Sequence, residues 1–172
     1  ILAEVSARRM TCDANSLLAA YNCLMGQAPP ALDEAIRALN LTAAASKPPP
    51  VTQEEEKGSG KGGKKKQQAT ESGGGEYDAA AAKAVRAKLP SLLHSLCEAL
   101  CGRAEEAKAV KVLQGMRVHG VLCNTSTYVL IANACGRRRA SAPLSDLSSL
   151  LLTLRQAIGP QAYSEAAQAC VK

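Results

Sequence analysis

The sequence predicts an all-α fold, an α-solenoid of helix-turn-helix repeats interrupted by a disordered low-complexity insertion. Three observations point there. Stretches of the chain align when it is shifted by 35 residues: Leu93, Tyr128 and Tyr163 coincide, as do Glu98, Asn133 and Gln168, then Ala99, Ala134 and Ala169, then Leu100, Cys135 and Cys170. A fixed period of 20–50 residues marks units too small to bury their own apolar face, which must stack on neighbours. The 47% apolar content is built mainly from Ala, Leu and Val, with no Phe, no Trp and four Tyr. Such side chains suit closely packed helices better than strands, which favour aromatic and β-branched residues. Apolar residues also recur at i, i+3, i+4 and i+7 through most of the chain.

The elements follow in order. Asp13 or Asn15 can cap a helix from Ser16 to about Met25 with Leu17, Leu18, Tyr21 and Leu24 on one side. Gly26 and the Pro29-Pro30 pair end it. A second helix starts near Ala31, with Leu32, Ala35, Ile36 and Leu39 as its buried stripe and Asp33-Glu34 favourably placed in the first turn. Residues 1–46 therefore read as a helical hairpin. Asp78–Lys88 is Ala-rich and helix-prone, and Pro90 can open a new helix as its first residue. That helix covers Pro90–Cys101 with Leu93, Leu96, Cys97 and Leu100 inward. Gly102 turns the chain into a partner over Glu105–His119, striped by Ala109, Val112, Leu113 and Met116, with Gly120 at a left-handed cap. The next unit repeats the plan. Thr125 or Ser126 caps a helix carrying Tyr128, Ile131, Ala132 and Cys135, a turn spans Gly136–Pro143, and Leu147, Leu150, Leu151, Leu154 and Ile158 line its partner up to Gly159-Pro160. Repeats thus occupy 90–124 and 125–159 within 78–172, with a partial unit at 160–172.

Between the first hairpin and these repeats, residues 47–77 collapse into Pro, Gly, Ser, Lys, Glu and Gln. Such a segment buries too little apolar surface to offset its ordering entropy, so disorder is expected. The chain opens on Ile1 and stops at Lys172 in mid-pattern. It reads as a fragment of a longer array, and the lack of a targeting segment carries no weight.

Charge is unevenly placed. The formal net charge is +6, yet Pro48–Glu76 holds five Lys and five Glu and contributes nothing to it. The excess lies on the structured parts, including Arg8, Arg9, Arg103, Lys108, Lys111, Arg117, Arg137, Arg138 and Arg139. A basic folded surface suggests an anionic partner, with nucleic acid the most economical choice, although a positive balance also serves solubility. No apolar run reaches the roughly 18 residues a membrane span needs, and no membrane partner is expected. The seven cysteines lack paired CxxC spacings and sit among apolar neighbours, as small hydrophobes in a reduced interior would. His94, Cys97 and Cys101 share one helix face at i, i+3, i+7 and could supply three zinc ligands. Packing of a small-residue interface accounts for them equally, and neither metal nor cofactor is expected. Neither His94 nor His119 has an acidic partner in sequence, and Asp146 stands alone, so no catalytic constellation is apparent.

The run Glu106–Arg137, EAKAVKVLQGMRVHGVLCNTSTYVLIANACGR, resembles the pentatricopeptide repeat family. It carries an Ala-rich second helix, Met116 with Gly120 four residues on, a loop ending in polar Asn124, then Thr127-Tyr128 and Ala134-Cys135. Leu32–Leu39 is similar to the family's second helix, and Ala162–Lys172 to a first helix. The resemblance covers about two thirds of the chain, in units near 14–41, 90–124, 125–159 and 160–172. It implies an α-solenoid that binds single-stranded RNA, an organellar transcript in mitochondrion or chloroplast, at about one base per repeat. First helices would line the groove. Base choice would fall to the residue after the first-helix Tyr position and to the last residue of the repeat. Those are Leu18 in the first unit, His94 with Asn124, Val129 with Gly159, and Ser164. Leu18 and Val129 carry no hydrogen-bonding group and Gly159 no side chain, so discrimination would come from His94/Asn124 and Ser164. Arg103, Arg137, Arg138, Arg139 and Lys172 recur near one phase of the repeat. They could meet successive phosphates, or satisfy helix C-terminal carbonyls instead. The alternative is a protein-interaction scaffold, such as a structural subunit of an organellar ribosome or RNA-processing complex.

Overall fold

The computed structural model describes residues 12–47, 79–154, 157 and 159–171, and they are all-helical. Among the described residues seven helices follow one another: α1 (Ala14–Met25), α2 (Leu32–Ala45), α3 (Ala79–Gly102), α4 (Glu106–Val118), α5 (Thr125–Arg138), α6 (Ser141–Leu154) and α7 (Pro160–Val171). No strand occurs among the described residues. Arg8, Arg9, Asp78, Ile158 and Lys172 fall outside them, as does the expected disorder over 47–77 except for Lys47, whose N–H bonds the Ala44 carbonyl at 3.2 Å.

Helix boundaries have local causes. Asp13 rather than Asn15 caps α1, its carboxylate accepting from the Ser16 N–H at 3.2 Å. Hydrogen bonding from the Ser16 side chain, and then from this N–H, holds the Asp13 carboxyl below its ordinary value. Asp33 and Glu34 stand in the first turn of α2, facing the positive end of its dipole. Gly120 closes α4 with φ of 68°, a left-handed conformation that costs glycine nothing.

Two turns differ from expectation. The positive-φ residue between α3 and α4 is Ala104 at 63°, not Gly102, which ends α3 in ordinary helix. Between α5 and α6 the corresponding residue is Arg139 at 52°, one shift of 35 along the chain. Here Pro143 lies inside the first turn of α6, where its missing N–H costs nothing.

The third difference is α3 itself. Two helices meeting at Pro90 are expected, yet one helix runs through it. Proline inside a helix removes a backbone bond and costs about 3 kcal/mol. Against that, Ala82, Val85, Leu89, Leu93, Leu96 and Leu100 form one unbroken buried stripe on both sides of Pro90. Each fully buried Leu or Val is worth about 1.5–3 kcal/mol, so continuity of the stripe outweighs the missing bond. Arg86 adds a tie, donating from Nη2 to the His119 and Gly120 carbonyls at 2.7 and 3.0 Å at the end of α4.

Packing is between neighbours. In one row α1 touches α3, α3 touches α5, and α5 touches α7; in the other α2 touches α4 and α4 touches α6. The remaining contacts join each helix to the next along the chain. The shared core between the rows is aliphatic, with Tyr21 and Tyr128 as its largest buried side chains. Tyr21 donates its hydroxyl to the Leu92 carbonyl at 2.7 Å, tying α1 to α3. Cys97, Cys101, Cys123 and Cys135 are buried thiols that pack as small hydrophobes.

Candidate functional site

The row α1, α3, α5, α7 turns one face to the interior and the other outward, and the outward face is polar by position. Pro90, inside α3, lies one 35-residue shift before Thr125, the start of α5, which lies one shift before Pro160, the start of α7. Like-placed residues therefore recur on adjacent helices. Ser91, Ser126 and Gln161 are exposed at one level, and Glu98, Asn133 and Gln168 at another, with Asn22 of α1 in the latter place. Between these levels lie Leu18, His94, Val129 and Ser164, of which the first three are half-buried and Ser164 is exposed. The i, i+3, i+7 spacing puts such residues in one stripe along each helix, opposite the core stripe.

Each residue expected to face a base has a definite setting. His94 Nδ1 lies 3.1 Å from Thr127 Oγ1, so the imidazole already joins α3 to α5 through a fully buried threonine. Asn124 caps α5 by backbone conformation alone, and its exposed amide makes no cap bond. Val129 lines a depression of about 300 Å³ between α5 and α7, shared with Asn133, Glu165, Gln168 and Ala169. Gly159 adopts φ of 79°, with open space where a Cβ would be. Ser164 accepts a long bond from Gln168 Nε2 at 3.4 Å.

The cations divide into two pairs. Arg103 donates from Nη2 to the Pro30 carbonyl at 2.9 Å, just ahead of α2. Arg138, one shift later, brings Nε to 3.3 Å from Glu106 Oε1 at the start of α4. That oxygen accepts no aligned hydrogen bond, so the contact is an ion pair. Both residues thus reach from the end of α3 or α5 to the start of the preceding helix of the other row, α2 or α4. Arg137 and Arg139 are exposed and make no side-chain hydrogen bond or ion pair with the described residues. Arg137 follows Asn133 by one helical turn and continues its stripe. Lys172 lies outside the described residues.

Glu98 and Glu165 place negative charge on the same face, so its basic character is confined to the helix C-terminal edge. Asn133, Glu165 and Gln168 were not singled out by sequence as contact residues. Asn133 and Gln168 were legible only as register marks. The available signal was the one-turn step from Val129 to Asn133. Among the described residues no three His, Cys, Asp or Glu side chains converge on a metal position. Burial pushes the Cys101 and Cys123 thiols up to about 11, which keeps them protonated at neutral pH. Among the described residues no helix is long and apolar enough to cross a membrane.

Compared with family models, curated proteins and solved structures, the chain matches none.

Proposed function

We propose that this chain is an α-solenoid of pentatricopeptide-like hairpins that binds single-stranded RNA along the outward face of α1, α3, α5 and α7, in RNA processing, stability or translation within a mitochondrion or chloroplast. One observation carries the reading. Two consecutive hairpins begin their second helices (Glu106, Ser141), make their left-handed turns (Ala104, Arg139) and expose polar side chains (Glu98, Asn133) at one 35-residue interval. Side chains repeated on adjacent parallel helices suit a ligand that is itself a repeat, and a single strand with splayed bases is such a ligand. Arg137 and Arg139, exposed and without a side-chain partner among the described residues, would meet phosphates at the edge of this face, giving affinity without sequence preference.

A second reading has its own support. Glu98 and Glu165 make the face mixed in charge, which suits a protein partner and hence a scaffold of an organellar ribosome or processing complex. Titration of labelled single-stranded RNA at 50 and 200 mM salt separates the two. RNA binding through this edge gives a steep loss of affinity with salt. The Arg137→Ala/Arg139→Ala pair should flatten the log–log slope by about 1.4, at about 0.7 per phosphate contact on a single strand. Absence of binding at low salt would support the scaffold instead.

A further inference from the structure

We infer that the depression between α5 and α7 is a base seat that selects guanine, read by Glu165 with Asn133 and Gln168. The inference rests on the single-stranded RNA reading and assigns base choice at this seam to residues outside the pairs that the pentatricopeptide resemblance implies.

The lining has the composition of a seat for a flat heterocycle. At about 300 Å³ the depression lies at the lower end of small-molecule pockets, which run from roughly 300 to 1,000 Å³. Val129 and Ala169 supply apolar wall from the two helices, while Asn133, Glu165 and Gln168 supply polar groups from both. Those polar groups are weakly engaged within the protein. Asn133 makes no side-chain hydrogen bond with the described residues. Gln168 Nε2 is 3.4 Å from Ser164 Oγ, and Glu165 Oε1 is 3.5 Å from Gln161 Nε2, both at the long limit of such bonds.

The carboxylate decides which base. Glu165 is acceptor-only, with two oxygens side by side. Guanine presents two adjacent donors on its pairing edge, N1–H and the N2 amino group, and can meet both oxygens at once. Adenine and cytosine each present one amino group beside a ring nitrogen whose lone pair would face the second oxygen. Uracil presents N3–H flanked by two carbonyls, which repel the carboxylate on either side. Position reinforces this. Arg137, one turn beyond Asn133, holds a cation at the edge for the phosphate, while Glu165 repels phosphate from the depression. Bases are thereby turned inward and the backbone outward.

The test uses four single-stranded 11-mers, all-uridine or uridine with one central guanosine, adenosine or cytidine, titrated by fluorescence anisotropy at low and at moderate salt. A single guanosine avoids quadruplex formation. A bidentate pair predicts tightest binding of the guanosine probe, by about tenfold or more over the others. Glu165→Gln should bring that ratio close to one. Asn133→Ala should reduce it in part, and because both residues are exposed, circular dichroism should show an unchanged fold. Equal affinity for all four probes, tighter binding of another base, or a guanosine preference that survives in Glu165→Gln overturns the seat and leaves the RNA reading standing. Failure of every probe to bind at low salt overturns both and favours a protein partner.

Discussion

The first hairpin and the two that follow reach the same packing through different turns. In α3–α4 and α5–α6 the second helix starts 16 residues after Pro90 and after Thr125, a residue with positive φ precedes it (Ala104, Arg139), and an arginine just before that residue (Arg103, Arg138) reaches back to the previous hairpin. In α1–α2 the starts are 18 residues apart, and no described residue of the turn has positive φ. Stacking therefore does not need one turn chemistry. What the regular hairpins add is a repeated link at each seam, and the two seams differ in what that link meets. Arg103 finds a neutral carbonyl near the surface, helped by Lys108 donating to Asp33 at 2.9 Å. Arg138 finds Glu106, a carboxylate with a side chain only 5% exposed.

The largest expected effect breaks the second seam. A buried charge that loses its partner costs about 3–5 kcal/mol, and less where the partner is partly solvated. Arg138 is 39% exposed, so Arg138→Ala should lower stability by about 2 kcal/mol. Arg103→Ala, which removes a bond to a neutral and accessible carbonyl, should cost clearly less. Adding Glu106→Gln to Arg138→Ala should recover part of the loss, since an amide needs no counter-charge. Urea unfolding of the four proteins is the measurement. Equal costs for the two arginines would mean that burial of Glu106 does not distinguish the seams.

A smaller effect of opposite sign sharpens the turn comparison. A non-glycine residue in the left-handed region pays roughly 1–2 kcal/mol, part of which glycine returns as unfolded-state entropy. Ala104→Gly should therefore raise stability by about 0.5–1 kcal/mol. Gly26→Ala in the first hairpin gains nothing from relief of strain, because Gly26 has φ of −78°. Thermal melts of both variants should move in these directions. An Ala104→Gly protein no more stable than the parent would show that this turn carries no strain.

These same features show which parts of the fold could be read from sequence. Helix registers were legible because burial follows periodicity: Leu93, Leu96 and Leu100, or Leu147, Leu150 and Leu151, are buried as their spacing requires. The passage of α3 through Pro90 was not, because a local rule about proline competes with a stripe whose continuity depends on tertiary packing. Ala104 and Arg139 were hidden for a related reason. Glycine signals a left-handed turn by type, whereas alanine and arginine adopt one only when packing on both sides imposes it. The pairing of Arg138 with Glu106 joins residues 32 apart on different hairpins, and only the stack brings them together. The depression was illegible likewise. Polar residues such as Glu165 and Asn133 occur on any solvated helix, and only the α5–α7 contact sets them around one space.

The smallest expected effect concerns the surface link at the first seam, and its signature is pH rather than magnitude. Asp33 and Lys108 are both well exposed, and such pairs contribute little at ordinary salt. The hydrogen bond from Lys108, and then its charge, hold the Asp33 carboxyl below its ordinary value of 3.8. A carboxyl depressed on folding adds stability that is present above its unfolded value and lost as pH falls through the folded one. Lys108 is raised above its ordinary 10.5 by hydrogen bonds to Glu105 and Asp33, so its share is present at neutral pH and fades only in strong alkali. Asp33→Asn should thus lower the melting temperature slightly at pH 6, and the gap should narrow progressively as pH falls below 3.8 and through the lowered folded-state value, as the wild-type carboxyl becomes neutral as well. A difference for Asp33→Asn that persisted undiminished in acid would mean that Asp33 contributes to the seam through packing rather than through charge.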